Sequence, residues 1–248
     1  MQMKGKASII IPVFNEEDIL AEYPVNLLPV LENIFINYSM DFEVILVDDG
    51  STDGSWLKMS ELQRLRSYVK VIKMPHNVGM GSAVRKGIEL SEGDMIITLD
   101  ADLTFRPQEI DNLLAEYVKN PVDCVSGSPY LEENLMSDVP LIRKVLSKVV
   151  NYIYCLELGQ RITSVSPIFR LYRREIFSKI HLTSNNFEIN AEILSKMLLS
   201  GYTVREVPAH LFKREHGQSK AKIWKSIRNH TVIIGKIFKV KYLKANWN

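Results

Sequence analysis

The sequence predicts an α/β domain with a mostly parallel sheet and helices on both faces. Three observations carry this. Short β-branched apolar runs alternate with longer helical patterns over the first 126 residues. Asp48, Asp49, Asp100 and Asp102 all fall at the C-terminal ends of those runs, where open sheets of this class bind ligands. Finally, a chain of 248 residues that is 46% hydrophobic can bury a substantial core.

Taken in order, the expected strands are 8–13, 43–47, 69–73, 94–99 and 122–126, each a short Val/Ile-rich run. Between them lie helical patterns at 17–38, 55–67, 79–91 and 107–119. The pattern then changes. An apolar helix with a polar stripe is expected at 140–158, a strand at 164–172, a helix at 190–199 and a strand at 202–207. The loop "KREHGQSK" (213–220) and a long C-terminal helix follow. No internal repeat or low-complexity linker interrupts the chain.

Four stretches carry chemistry. In "IIIPVFNEED" (9–18) a strand gives way to a helix with acids in its first turn, and Asn15 is the expected N-cap. In "VILVDDGSTDGSW" (44–56) two acids precede a glycine-rich turn, where a carboxylate can accept from a base N–H or ribose hydroxyls. In "HNVGMGSAVRKGIE" (76–89) Gly79 and Gly81 allow close backbone approach, and Arg85 and Lys86 follow on the helix. No Gly-x-Gly-x-x-Gly follows the first strand and no Gly-Lys-Ser/Thr loop occurs, which argues against a dehydrogenase and an ATPase.

The fourth stretch, "ITLDADLTF" (97–105), ends an apolar run in Asp-x-Asp. Carboxylates that close raise each other's pKa unless a cation sits between them. Such hard oxygen donors suit Mg²⁺ or Mn²⁺ with positions left for substrate phosphate.

"IPVFNE", "VDDGSTD", "NVGMGSAVRKG" and "DADL", in this order and spacing, resemble the family 2 glycosyltransferases of GT-A (Rossmann-like) fold. "IRKVLSK" (142–148), "FRLYRREIF" (169–177) and "REHGQSK" (214–220) resemble the dolichol-phosphate mannose synthase branch, and the likeness spans about residues 7 to 222. It implies a glycosyltransferase domain over 1–222, with a nucleotide half at about 7–126 and an acceptor half at about 127–222, followed by a basic amphipathic helix at 223–248. The implied reaction is inverting transfer of a hexose from a GDP- or UDP-sugar to a polyprenyl (dolichyl) phosphate; the alternatives are a hydroxyl acceptor on a glycan or glycolipid, or a catalytically silent nucleotide-sugar-binding protein.

The resemblance also implies roles. Pro12, Phe14, Asn15, Glu16 and Gly79 line the nucleotide-sugar pocket, with Asp49 on the base. Asp100 and Asp102 hold the divalent metal, Mg²⁺ or Mn²⁺, on the donor diphosphate, and Arg85 neutralises the leaving group. Arg143, Ser147, Arg214 and Lys220 hold the acceptor phosphate. Residues 143 and 147 also share one helix face, and arginine's planar fork suits phosphate. Glu192 matches a family acid that helps order the site, and it is the candidate base for a hydroxyl acceptor. The chain departs from the branch at Thr104, usually Gln; at Pro129, usually Arg; and at Thr163 and Pro167, usually an acid and a glycine.

Net charge is +2, yet residues 213–244 carry ten Lys or Arg and one acid, so the remainder is acidic. A basic tail on an acidic body suits an anionic surface. Aromatic residues do not interleave with the basic ones, which argues against nucleic acid. Wound as a helix, 223–244 gathers Ile223, Trp224, Ile227, Ile234, Ile237 and Phe238 on one side and lysines on the other. It either packs on the domain or lies in a headgroup layer. Without a signal peptide or membrane span, the expected place is the cytoplasmic side of a membrane, held peripherally or by a membrane-anchored partner subunit. Cys124 and Cys155, in apolar surroundings without metal-ligand spacing, read as core residues of a reducing compartment.

Overall fold

The computed structural model describes residues 5–136, 141–214 and 223–247, the side chains of 141–143 and 223–227 excepted. Seven strands form one sheet: β1 (Lys6–Val13), β2 (Asp41–Asp48), β3 (Val69–Lys73), β4 (Met95–Thr98), β5 (Cys124–Ser128), β6 (Arg170–Arg173) and β7 (Val204–Pro208). Their order is β3-β2-β1-β4-β6-β5-β7, and only β6 runs antiparallel to its neighbours. The described helices are α1 (Glu17–Asn26), α2 (Leu28–Tyr38), α3 (Ser55–Leu65), α4 (Met80–Leu90), α5 (Ile110–Lys119), α6 (Leu141–Leu158), α7 (Ile189–Leu199) and α8 (Ile223–Leu243).

Alternation along β1 shows how the layers form. Ile9 and Ile11 enter the core shared with Leu20, Leu31, Met59 and Leu113 of α1, α2, α3 and α5. Ile10 points the other way, toward Val84 of α4 and Ile193 of α7. Both faces are covered, which is why β1 reads as a continuous apolar run. A third core joins Tyr154 of α6, Leu194 of α7 and Ile233 and Ile237 of α8.

β1 pairs with β2 on one side and β4 on the other, so the chain reverses its direction of winding there. The crevice at such a switch point opens beyond the strands' carboxyl ends. Val13, Asp48 and Leu99 lead into it.

The structure corrects four sequence-based expectations. The pattern at 17–38 is two helices bent by 42°, because Pro24 and Pro29 each remove an amide donor around Leu27. Asn15 is not an N-cap. It adopts a left-handed conformation (φ 53°), and the helix begins one residue later than an Asn15 cap requires. The strand expected at 164–172 forms only at Arg170–Arg173, since side chains bind the preceding backbone instead. On α8, Ile233 and Ile237 are buried, whereas Phe238 is exposed; Ile223, Trp224 and Ile227 lie outside the described side chains. No single described helix is long and apolar enough to cross a membrane.

Candidate active site

The floor of the crevice is two turns laced together. Asn15 N–H donates to Ser51 Oγ (3.0 Å), and its amide oxygen accepts Thr52 N–H (2.8 Å). Glu16 N–H donates to Ser55 Oγ (2.8 Å), while Asp53 accepts Glu17 N–H (3.3 Å). The first turn of α1 is thus satisfied by side chains of the neighbouring turn rather than by a cap of its own. Gly50 (φ 73°) crosses so close to His76 and Asn77 that a Cβ there would sit 2.5 Å from Asn77 N. Asp49, buried, accepts Val78 N–H (2.9 Å) and Gly79 N–H (2.8 Å) on its two oxygens. Asp48 Oδ1 accepts Ser51 N–H (2.9 Å), and its buried Oδ2 has no hydrogen-bond partner among the described residues.

Asp100 and Asp102 follow β4. Asp102 Oδ1 accepts Thr104 N–H (3.1 Å), across a turn in which Leu103 is left-handed (φ 52°). Tyr23, fully buried on α1, donates to the carbonyl of Ala101 (2.8 Å) and pins the turn from below. Burial first, and then the Asp102 charge, push the Asp100 carboxyl well above the usual carboxylate range, with Arg214 opposing. Arg214 Nη1 lies 3.4 Å from Asp102 Oδ2, and the same guanidinium bonds Glu16. The backbone brings it there: Phe212 N–H donates to the Thr104 carbonyl (2.8 Å), and Leu211 bridges Phe105.

Two hard carboxylates lacking enough positive charge fit a divalent ion. Among the described residues no three His, Cys, Asp or Glu side chains converge as a metal cluster.

α4 forms one wall. Gly79 (φ 122°) and Gly81 do approach a backbone closely, but it belongs to the chain itself. Added Cβ atoms would stand 2.4 Å from Asn185 O and 2.6 Å from Ser184 O. Arg85 likewise bonds the Ser184 carbonyl and Asn185 Oδ1 (2.7 Å for the latter). Glu192 holds that loop from behind. Fully buried, it accepts Thr183 N–H and Oγ1–H and Ser184 N–H, and pairs with Lys196 (3.0 Å). Although burial would raise it, those bonds hold its carboxyl below the usual range. Glu192 therefore orders the loop, and its engaged oxygens do not suit the role of base. Lys86 pairs with Glu89 (3.1 Å) on the helix surface.

Beyond β5, Tyr130 N–H donates to Ser128 Oγ (3.2 Å), and Tyr130 lies beside Ser147 of α6. Ser128 Oγ and Thr163 Oγ1 lie 2.6 Å apart. Residues 163–166 are pinned by Glu206 (Thr163 N–H 2.8 Å, Ser164 N–H 3.1 Å), Asn151 (Val165 N–H 3.2 Å) and Asn190 (Ser166 carbonyl 2.9 Å). Arg170, fully buried, binds Ser126 Oγ, the Asn190 carbonyl and the Val165 carbonyl. Arg143 lies in the first turn of α6 with its side chain outside the described set, and Lys220 lies outside the described residues. Pro12 is half-buried at the end of β1, two residues before Phe14.

Sequence reasoning missed Tyr23, Asp53, Arg170, Glu206 and the 183–186 loop. Tyr23 and Arg170 look like ordinary members of an amphipathic helix and a strand, and only their tertiary partners mark them. Glu206 carried one signal, an acid within an expected strand.

Residues 8–181 match the model of "Glycosyl transferase family 2". A dolichol-phosphate mannosyltransferase of Pyrococcus furiosus is 34% identical over 220 residues, 88% of this chain; the chain spans 59% of that relative's length. Among solved structures, glucosyl-3-phosphoglycerate synthase of Mycobacterium tuberculosis superposes with a TM-score of 0.67 at 15% identity. That complex contains Mn²⁺ and UDP-glucose, and the match covers 95% of this chain and 78% of that one. A second complex, with phosphoglyceric acid, superposes equally well (TM-score 0.67, 15% identity, covering 95% and 79%). These neighbours place the fold among GT-A glycosyltransferases.

Proposed function

We propose that this chain, which belongs to glycosyl transferase family 2, moves a hexose from a GDP- or UDP-sugar to a polyprenyl (dolichyl) monophosphate with inversion at the anomeric carbon. One observation carries the reading: Asp100 and Asp102 follow β4 at the sheet's switch point, short of positive charge and within reach of Arg214. The relative's name supports a dolichyl phosphate acceptor and a mannosyl donor. The Mn²⁺ and UDP-glucose bound by the structural neighbour support a metal-assisted nucleotide sugar.

A phosphate oxygen of the acceptor attacks the anomeric carbon. The bond from that carbon to the donor diphosphate breaks, and its electron pair leaves with the nucleoside diphosphate. A phosphomonoester with a second pKa near ~6 is mostly dianionic at neutral pH, so no protein base is required. Asp100 and Asp102 would hold a divalent cation, Mg²⁺ or Mn²⁺, which would supply positive charge at the leaving diphosphate. Glu16 and the 12–15 segment line the nucleotide pocket, while Asp49 shapes it through the backbone of Val78 and Gly79. Arg85, whose guanidinium holds the loop at Ser184 and Asn185, serves the diphosphate side through that loop. Arg143, Ser147, Arg214 and Lys220 receive the acceptor phosphate by charge-assisted hydrogen bonds.

A hydroxyl acceptor requires a carboxylate base, and Glu192 is unsuited because its oxygens are already engaged. Incubating the protein with a panel of nucleotide sugars and a short polyprenyl phosphate, then weighing the products, tests the proposal. A hexose on the phosphate supports it. Donor hydrolysis alone, a hydroxyl-linked product or no turnover contradicts it.

The acceptor's lipid chain calls for a peripheral position on the cytoplasmic side of a membrane. Exposed Val145, Val149, Tyr152 and Leu156 along α6, with Phe238 and Tyr242 on α8, support that reading, as do the lysines between them. A partner subunit that carries the membrane anchor is the alternative means of attachment.

A further inference from the structure

Arg214 joins two carboxylates from different parts of the crevice. One is Glu16, just beyond β1; the other is Asp102, beyond β4. All three side chains are largely buried, at 18%, 11% and 20% exposure. The guanidinium is thus no loose surface charge. It is held over the acid pair by the backbone bonds from Phe212 to Thr104 and from Leu211 to Phe105.

In the proposed reaction Asp102 has a second claimant. An oxygen that faces a guanidinium at 3.4 Å has to turn from it to ligate a divalent ion. Placing a dication beside that guanidinium also sets like charges against each other in a partly dry crevice. Glu16 has no such conflict, since nothing in the proposed ligand set removes it from Arg214.

We infer that Arg214 is a place-holder cation, which balances the acid pair before loading, is displaced from Asp102 by the incoming divalent ion, and is kept at the crevice by Glu16 for the acceptor phosphate. Arg214 then serves the empty site as counter-ion and the loaded site as acceptor ligand, and Glu16 is a positioning residue. The inference rests on the proposed function.

The test is Mn²⁺ binding to the full chain, with free Mn²⁺ read by electron paramagnetic resonance, for the wild type and for Arg214→Ala, Arg214→Gln and Arg214→Lys. Removing the charge is expected to tighten Mn²⁺ binding about tenfold or more. Arg214→Gln, which keeps a hydrogen-bonding head, is expected to match Arg214→Ala and covers the case in which the alanine variant folds poorly. Arg214→Lys is expected to stay close to the wild type. The neutral variants should melt lower than the wild type without metal and gain more from saturating Mn²⁺. With donor and metal saturating, Glu16→Gln should raise KM for a short polyprenyl phosphate more than it lowers kcat. Equal or weaker Mn²⁺ binding by a folded neutral variant overturns the inference while leaving the proposed function standing. A wild type that binds no Mn²⁺, with or without nucleoside diphosphate, overturns both.

Discussion

The two edges of the sheet treat buried carboxylates in opposite ways. At the N-terminal edge Glu43 accepts Ser8 Oγ–H (2.6 Å) and Glu92 N–H (2.8 Å) and pairs with Lys70 (2.7 Å) and Lys6 (3.1 Å). Burial alone would raise its carboxyl; the bonds from Lys70, Ser8, the Glu92 backbone and Lys6 overcome this and hold it at about 2. At the C-terminal edge Asp100 and Asp102 share one flank of Arg214, and the Asp100 carboxyl is pushed up. The first edge is compensated from within the chain. The second is left short of positive charge, as a site awaiting a cation is expected to be.

The largest effect that separates the edges is on stability. Glu43→Gln leaves Lys6 and Lys70 with the exposed Glu92 as their remaining acid and is expected to cost on the order of 3 kcal/mol, from the displacement of its carboxyl from the usual 4.5 to about 2. Activity per folded molecule should be unchanged, and urea unfolding checks the first statement. The pH dependence has a definite sign. A depressed carboxyl contributes in full above its unfolded value, so this stability should fade as pH drops from about 4.5 to about 2. Glu43→Gln should flatten that stretch of the stability curve, and a loss starting near neutrality would contradict the assignment.

Next come the acceptor arginines. Arg143→Ala and Arg214→Ala are each expected to cost roughly 1.5–3 kcal/mol in acceptor use, the worth of a charged hydrogen bond to phosphate. Calorimetry of the donor beside transfer rates separates the roles, and equal losses in both would return these side chains to the donor. Asp100→Asn and Asp102→Asn should lower turnover at least tenfold while the metal-free protein keeps or gains stability, since a repulsion is removed. A drop in melting temperature like that of Glu43→Gln would erase the contrast. The smallest expected effect is at the lipid surface. Binding to anionic liposomes should weaken from low to high salt, each basic residue near the leaflet adding about 1 kcal/mol. Indifference to such liposomes at low salt would assign α8 to the fold or to a partner subunit.

Much of this was legible in the sequence because its causes are local. A Val/Ile run followed by Asp-x-Asp announces a strand and its end. The glycines at 50, 79 and 81 announce close approach, though not what is approached. What stayed hidden depends on partners far along the chain. Glu16 and Arg214 meet across 198 residues of sequence. Segment 164–169 is no strand because Glu206, Asn151 and Asn190 satisfy its surroundings. The reversed direction of β6 follows from which edge the chain returns to, and no period-2 pattern encodes that. On α8, Ile233 and Phe238 stand about 140° apart around the helix axis, so the face that buries Ile233 leaves Phe238 exposed. That face is decided by Tyr154, Leu194 and Leu198 beneath.

The central claim is that the uncompensated edge binds a divalent ion which in turn holds a diphosphate. Titrating GDP and UDP into the wild type and Asp100→Asn, with and without Mn²⁺, tests it most directly. The account predicts that Mn²⁺ tightens one of the two nucleotides at least tenfold in the wild type and leaves Asp100→Asn nearly unchanged. The same gain in both proteins, or none in the wild type, would contradict it.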